Sequence, residues 1–197
     1  MTFIQTVDPA DATGRVAELY AADRAAFGRV PNFTQAFSLH PEAYAAWRQL
    51  NGAVKSGADL RRYELATLAA ARRLRSSYCA IAHGSVLAEQ FMEPEAVRAA
   101  ITGHHAAGLD EADVAVMDLA DQVADDATSV TQADIDRLRS LGLSDREILD
   151  VVLAAAARCF FSTVLDALGA RPDREFADEV APDLLAALTV GHPLAEE

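Results

Sequence analysis

From Glu64 to His83 the chain runs through an acid, a stretch rich in alanine and leucine, the paired serines Ser76 and Ser77, then Cys79 and His83. This stretch constrains the fold more than any other. As one unbroken helix it would hold Glu64 and Cys79 ~22 Å apart along the axis, at 1.5 Å per residue, and the two could not cooperate. A break near Arg75-Ser76-Ser77 changes that. Ser76 is a good N-cap residue, so a new helix starting after it would place Cys79 at the third helical position. The chain could then fold back and bring Glu64 toward the sulfur. The sulfur would also sit at a helix N-terminus, where the macrodipole and free N–H groups favour thiolate. Ser76 inside a continuous helix is the other arrangement the sequence permits.

Helix formers dominate the rest of the chain. Alanine is abundant, aromatic residues make up only 7%, and 51% of residues are hydrophobic, so closely packed helices are favoured over sheet. A first helix is capped by Asp11 or Thr13 and runs to about Phe27. Gly28-Arg29-Val30-Pro31-Asn32 breaks it. Pro41 opens a second helix carrying Tyr44, Trp47, Leu50 and Val54, which Gly57 ends. Asp59 caps the helix that bears Glu64, and the helix with Cys79, His83 and Leu87 follows. Pro94 starts a short helix to about Ala100, and another spans Glu111 to Ala127. Thr131 and Ser144 cap the last two long helices, the second reaching about Leu168. Gly169, Pro172 and Pro182 punctuate the tail. The 197 residues read as a single all-α domain, 1–197, whose motif-bearing unit is about 59–90. A shift of 83 residues lays Glu64 on Glu147, Arg75 on Arg158, Ser76 on Cys159 and Cys79 on Ser162. Either a weak internal two-helix repeat (echo about 142–169) or chance similarity of alanine-rich helices accounts for this.

Charge excludes some partners. Seventeen basic against thirty acidic residues give a net charge of −13, which argues against nucleic acid and anionic membrane, since both need basic patches. No 18-residue apolar run is read as a membrane span, and the N-terminal stretch through Val7 lacks the pattern of a signal peptide. Two cysteines 80 positions apart make no disulfide framework, so a reducing cytoplasm is expected. Neither a phosphate-binding glycine loop nor a paired-cysteine zinc pattern is present. The adjacent histidines His104 and His105 diverge by ~100° on a helix and would not share one ion, so no metal or other cofactor is expected.

Cys79 and His83 are four residues apart and share a helix face. A base beside a thiol favours the reactive thiolate. Tyr78 either lines the site or packs. Trp47 and Tyr44 read as core or subunit-contact residues in preference to ligand stackers, and Arg72, Arg73 and Arg75 as a solvated or interface-facing stripe in preference to an attractor of an anionic substrate. Cys159, within an apolar run, reads as buried and weakly reactive, a distant thiol. The apolar helix around Val151 to Ala157 is either central in a monomer or covered by another subunit.

With these residues in view, the chain resembles the AhpD-like alkylhydroperoxidase and carboxymuconolactone decarboxylase family, in its peroxidase-related branch. The likeness rests on Gly28-Arg29-Val30-Pro31-Asn32-Phe33, Pro41-Glu42, the Glu64 helix, Ser76-Ser77-Tyr78-Cys79-Ala80-Ile81-Ala82-His83-Gly84 and Asp166-Ala167-Leu168-Gly169. The resemblance implies an all-helical AhpD-like fold, a homo-oligomer (trimer or hexamer), and an active site of a Glu, a Cys-x-x-Cys pair and a His. Glu64, Cys79 and His83 match the acid, the second cysteine and the histidine. The first cysteine is replaced by Ser76, so the dithiol cycle is unavailable within the motif. The leading expectation is a thiol-dependent peroxidase-type oxidoreductase, with Cys79 activated by His83 and Glu64, Ser76 lining the site and, as reductant, an external thiol or Cys159 if the fold brings it close. The alternatives are a lactone decarboxylase-type acid–base enzyme acting on a small lactone or acid, and a non-catalytic binding or scaffold protein on the same fold.

Overall fold

The computed structural model describes residues 2–196, so the first and last residues of the domain expected over 1–197 lie outside the described residues. Among the described residues there are eleven α-helices and no strand. They are α1 (Gly14–Phe27), α2 (Asn32–Ala36), α3 (Pro41–Lys55), α4 (Leu60–Arg73), α5 (Ser77–Gln90), α6 (Pro94–Gly103), α7 (Glu111–Asp126), α8 (Gln132–Ser140), α9 (Asp145–Ala167), α10 (Phe176–Glu179) and α11 (Pro182–Leu188). The all-α expectation is met, and Thr13, Asp59, Thr131 and Ser144 each occupy the N-cap position.

The core forms around α4, which is buried continuously from Tyr63 to Ala71. Its alanines at 66, 69, 70 and 71 let neighbouring backbones approach closely, while Leu65 and Leu68 fill the space between them. Each fully buried leucine contributes about 1.5–3 kcal/mol. Helix α4 packs against α7, α5 and α9, and α3 lies across α9.

The chain does turn at the paired serines. Helix α4 closes with the Ser76 N–H donating to Ala71 O (2.9 Å) and the Arg75 N–H donating to Arg72 O (3.0 Å). This is the Schellman pattern, with Arg75 in the left-handed position (φ 57°) that glycine usually fills. The tail locks the turn from outside. The Gly191 N–H donates to Ser77 Oγ at 2.7 Å, and a Cβ at residue 191 would fall 1.8 Å from Arg75 O. Only a glycine lets the tail backbone approach that closely.

Some readings need correction. Helix α2 begins at Asn32, the last residue of the segment read only as a break; its first N–H, on Asn32, donates to Asp173 Oδ1 at 2.9 Å, a cap from 141 residues away that no local signal announces. Helix α9 is long and apolar enough to cross a membrane by length and composition, contrary to the absence of such a run read from the sequence. Its apolar content serves packing, however, because α9 lies against α4, α7 and α3. The helix also runs unbroken through the positions that the 83-residue shift lays on the Arg75–Ser76 turn, so the sequence echo is not matched by an equivalent turn.

Candidate active site

A pocket of about 550 Å³ opens between α3, α4, α5 and α9, and Glu64, Cys79 and His83 all line it. The turn after α4 produces this convergence. Ser76 takes the N-cap of α5, making Cys79 its third residue. His83 follows one helical turn later on the same face.

Glu64 is 1% exposed and anchors the polar side of the pocket. One carboxylate oxygen lies 2.5 Å from His83 Nδ1, and the other accepts from Lys55 Nζ at 3.0 Å. Burial pushes the Glu64 pKa up, but His83 and Lys55 outweigh it and hold the group below its ordinary value. Glu64 is therefore a carboxylate, which only accepts, so His83 Nδ1 carries the proton in this bond. The pKa of His83 is itself lowered. Burial is the main cause and the positive charge of Arg158 adds to it, against the opposing pull of Glu64. The result is a neutral imidazole with its proton on Nδ1 and a basic Nε2.

Cys79 is 2% exposed. Arg158 Nη1 donates to its sulfur at 3.5 Å. Arg158 projects from the middle of α9 and is itself 2% exposed, with its guanidinium 5.9 Å from the Trp47 ring and 5.6 Å from the Phe161 ring. Those two rings stack at 3.9 Å. A cation placed here meets negative charge that develops on sulfur. Phe27, Phe33 and Phe176 extend the apolar wall.

Tyr78 lines the same pocket, and its hydroxyl donates to Asp173. Burial pushes the Tyr78 hydroxyl well above the ordinary range, and the Asp173 charge adds to this. Ser76 departs from expectation: it is buried outside the pocket lining. Its hydroxyl makes no well-formed hydrogen bond, with Asp166 as its polar neighbour, and does not reach the Cys79 sulfur. Cys159 neighbours Arg158 in sequence but lies outside the pocket lining, and burial pushes its thiol up. Trp47 and Tyr44, read as core or contact residues, line the pocket. Arg72 and Arg73 pair with Asp121. Lys55, Arg158 and Asp173 were not singled out from sequence; a lone arginine inside the alanine-rich run of α9 was the available signal, because a charge there must be buried with a purpose.

The adjacent histidines also depart from the reading that they cannot converge. They lie in a short 3-10 turn after α6, and the Nε2 atoms of His104 and His105 both reach Asp118 Oδ1 at 2.8 Å. Three ligand-type atoms thus come within 4.8 Å of one another, while Arg137 Nη1 occupies the other carboxylate oxygen at 2.8 Å.

Residues 41–122 match the carboxymuconolactone decarboxylase family. The matched segment spans α3 to most of α7 and contains Glu64, Cys79 and His83. No curated protein matches the chain. Over 89% of its length the chain shares the AhpD-like fold. It is similar to the alkylhydroperoxidase AhpD core, peroxidase-related protein of Ralstonia eutropha JMP134, with 21% identity, TM-score 0.80, and coverage of 89% of this chain and 94% of that one. A peroxidase-related protein of Silicibacter sp. TM1040 is similar at 22% identity and TM-score 0.77, covering 89% and 93%. The fold is shared more distantly with a cysteine-to-alanine variant of the debrominase Bmp8 in complex with 2,3,4-tribromopyrrole, at 12% identity and TM-score 0.71, covering 90% and 95%.

Proposed function

We propose that this protein is a thiol-dependent peroxidase-type oxidoreductase that uses Cys79 as its one redox sulfur. The observation that carries this reading is the Arg158 N–H directed at a buried sulfur in a pocket shared with the Glu64–His83 pair. His83 Nε2 takes the Cys79 proton, directly or through water. The thiolate attacks one oxygen of a hydroperoxide; the S–O bond forms, the O–O bond breaks, and the departing alkoxide takes the proton back from His83. Cys79 is left as a sulfenic acid. Ser76 cannot resolve it, being a hydroxyl outside the pocket, and Cys159 is not among the pocket residues. An external thiol therefore condenses with the sulfenic acid to give a mixed disulfide and water, and a second thiol releases Cys79. A reducing cytoplasm supplies such thiols.

The test is mass spectrometry after stoichiometric treatment with an organic hydroperoxide. Cys79 is expected to gain one oxygen, trapped by a sulfenic-acid reagent, while Cys159 stays reduced. An unmodified Cys79 under conditions that oxidise a control thiol protein would end the proposal.

We further propose a homo-oligomer. Leu149, Leu153 and Phe160 on α9 are 52%, 38% and 46% exposed. With Ala156 they follow a 4-3-4 spacing that makes one continuous apolar stripe. Sedimentation equilibrium at micromolar concentration is expected to give a multiple of the 21.0 kDa chain mass, and a Leu153→Glu variant is expected to shift it toward monomer. A wild-type monomer would contradict this.

A further inference from the structure

The cations that line the pocket are unequally matched. Lys55 has Glu64 at 3.0 Å, Arg29 has Glu179 at 2.8 Å, and Arg48 has Asp23 at 2.6 Å. Arg158 is the most buried of the four, yet among the described residues no carboxylate lies within 4.0 Å of it. Its hydrogen-bonding neighbours are the Cys79 sulfur and the Tyr63 hydroxyl, and its Nε is buried without an acceptor. A guanidinium cannot shed its charge, and it offers five donors in a flat fork. Removing such a cation from water costs several kcal/mol unless an anion and hydrogen-bond acceptors compensate. The Trp47 and Phe161 rings supply part of that compensation through their faces, but they accept none of the in-plane N–H groups.

The structure assigns Arg158 as the anion-recognition residue of this pocket: it takes the acid group of a substrate whose remaining body is flat and apolar. The acid group engages donors of the guanidinium that the sulfur leaves free, and the body lies along the wall made by Phe27, Phe33, Trp47 and Phe176. The pocket volume of about 550 Å³ suits a molecule of one or two rings with a short acidic arm. Binding the acid at Arg158 fixes the substrate beside Cys79, because the same guanidinium already touches the sulfur. This deepens the proposed function and rests on it only for the reacting group: the substrate class becomes acid-bearing organic hydroperoxides rather than hydrogen peroxide. The recognition step itself requires no redox chemistry.

Trp47 is the chain's one tryptophan and lines the pocket, so its fluorescence reports occupancy. Phenylacetate and phenylacetamide share a ring and an arm but differ in charge. Titrated into a Cys79→Ala variant, which leaves no sulfur for the guanidinium to donate to, phenylacetate is expected to bind about tenfold or more tightly than the amide, a difference of about 1.4 kcal/mol. Arg158→Met is expected to erase that preference, and Arg158→Lys to keep the charge but lose part of it with the fork. Equal binding of the two probes, binding of neither, or a preference that survives Arg158→Met would each overturn the assignment. The probe comparison needs no change at Arg158, so it holds even if the methionine variant does not fold. If the preference stands but Cys79 never becomes a sulfenic acid, the redox reading fails and the recognition site remains. If sulfenic acid forms but the preference is missing, the redox reading remains and the recognition site fails.

Discussion

Replacing Cys79 by serine is expected to lower hydroperoxide turnover by about 10³-fold or more, a loss on the order of 4 kcal/mol of barrier stabilisation at 1.36 kcal/mol per decade. The hydroxyl is a far weaker nucleophile than a thiolate and cannot hold the oxidised state. The substitution is nearly isosteric, and the site is 2% exposed, so the fold is expected to persist with a cost of about 1 kcal/mol. Steady-state kinetics with an organic hydroperoxide and an excess of thiol measure the first effect, and thermal unfolding measures the second. The same variant separates the redox reading from the acid–base one. A decarboxylase-type reaction run by Glu64 and His83 would use Cys79 only as pocket wall, and full turnover of a lactone or acid substrate by Cys79→Ser would support it.

Glu64→Gln is expected to produce the next largest effect, a fall in kcat of about 10²-fold, the lower range for losing a well-positioned proton-transfer system. The amide oxygen can still accept from His83 Nδ1, so the ring keeps a partner but loses the negative charge. Glu64 is one of the influences that raise the His83 pKa against burial and Arg158. Removing its charge therefore lowers that pKa further. The ring must be neutral to accept the cysteine proton, so activity rises as pH climbs through the His83 pKa. In the wild type this acid limb is expected below the ordinary histidine value of 6.5; in Glu64→Gln it is expected at still lower pH. A kcat/KM profile against pH checks this, and a limb that moved upward would contradict the arrangement. Stability is expected to drop by about 1 kcal/mol, because the charge-assisted hydrogen bond from Lys55 to Glu64 is weakened, while Lys55, itself 39% exposed, can turn to water.

Stability should also depend on acid in a defined direction. The folded pKa of Glu64 is held below its ordinary value of 4.5, so its contribution is present above that pH and is lost as pH falls through the folded value. His83 acts in the same sense. Its folded pKa is lowered, so the unfolded chain binds the proton more readily below 6.5 and gains on the folded state there.

Much of the fold was legible because its signals are local. Asp59 and Ser144 announce helix starts by side-chain chemistry that needs only the next three residues, and the structure uses both in that way. Glu64, Cys79 and His83 could be singled out together because the serines between them offered a place to turn. What escaped the sequence was long-range. Helix α2 is capped by Asp173, and Trp47 enters the pocket because α3 lies across α9. The histidines at 104 and 105 converge because a 3-10 turn aims both at Asp118 on α7.

The sequence by itself determined an all-helical chain, the places where most helices begin, and an acid, a sulfur and an imidazole spaced so that one turn could unite them. Those are consequences of backbone propensity and capping, which act over a few residues. Only the tertiary structure decided that Ser76 stands outside the pocket, that Lys55 neutralises Glu64, and that Arg158 reaches the sulfur from 79 residues away. Such charge pairings depend on which helix faces meet when the core closes, and helix packing is set by the whole set of buried surfaces rather than by any local run of residues.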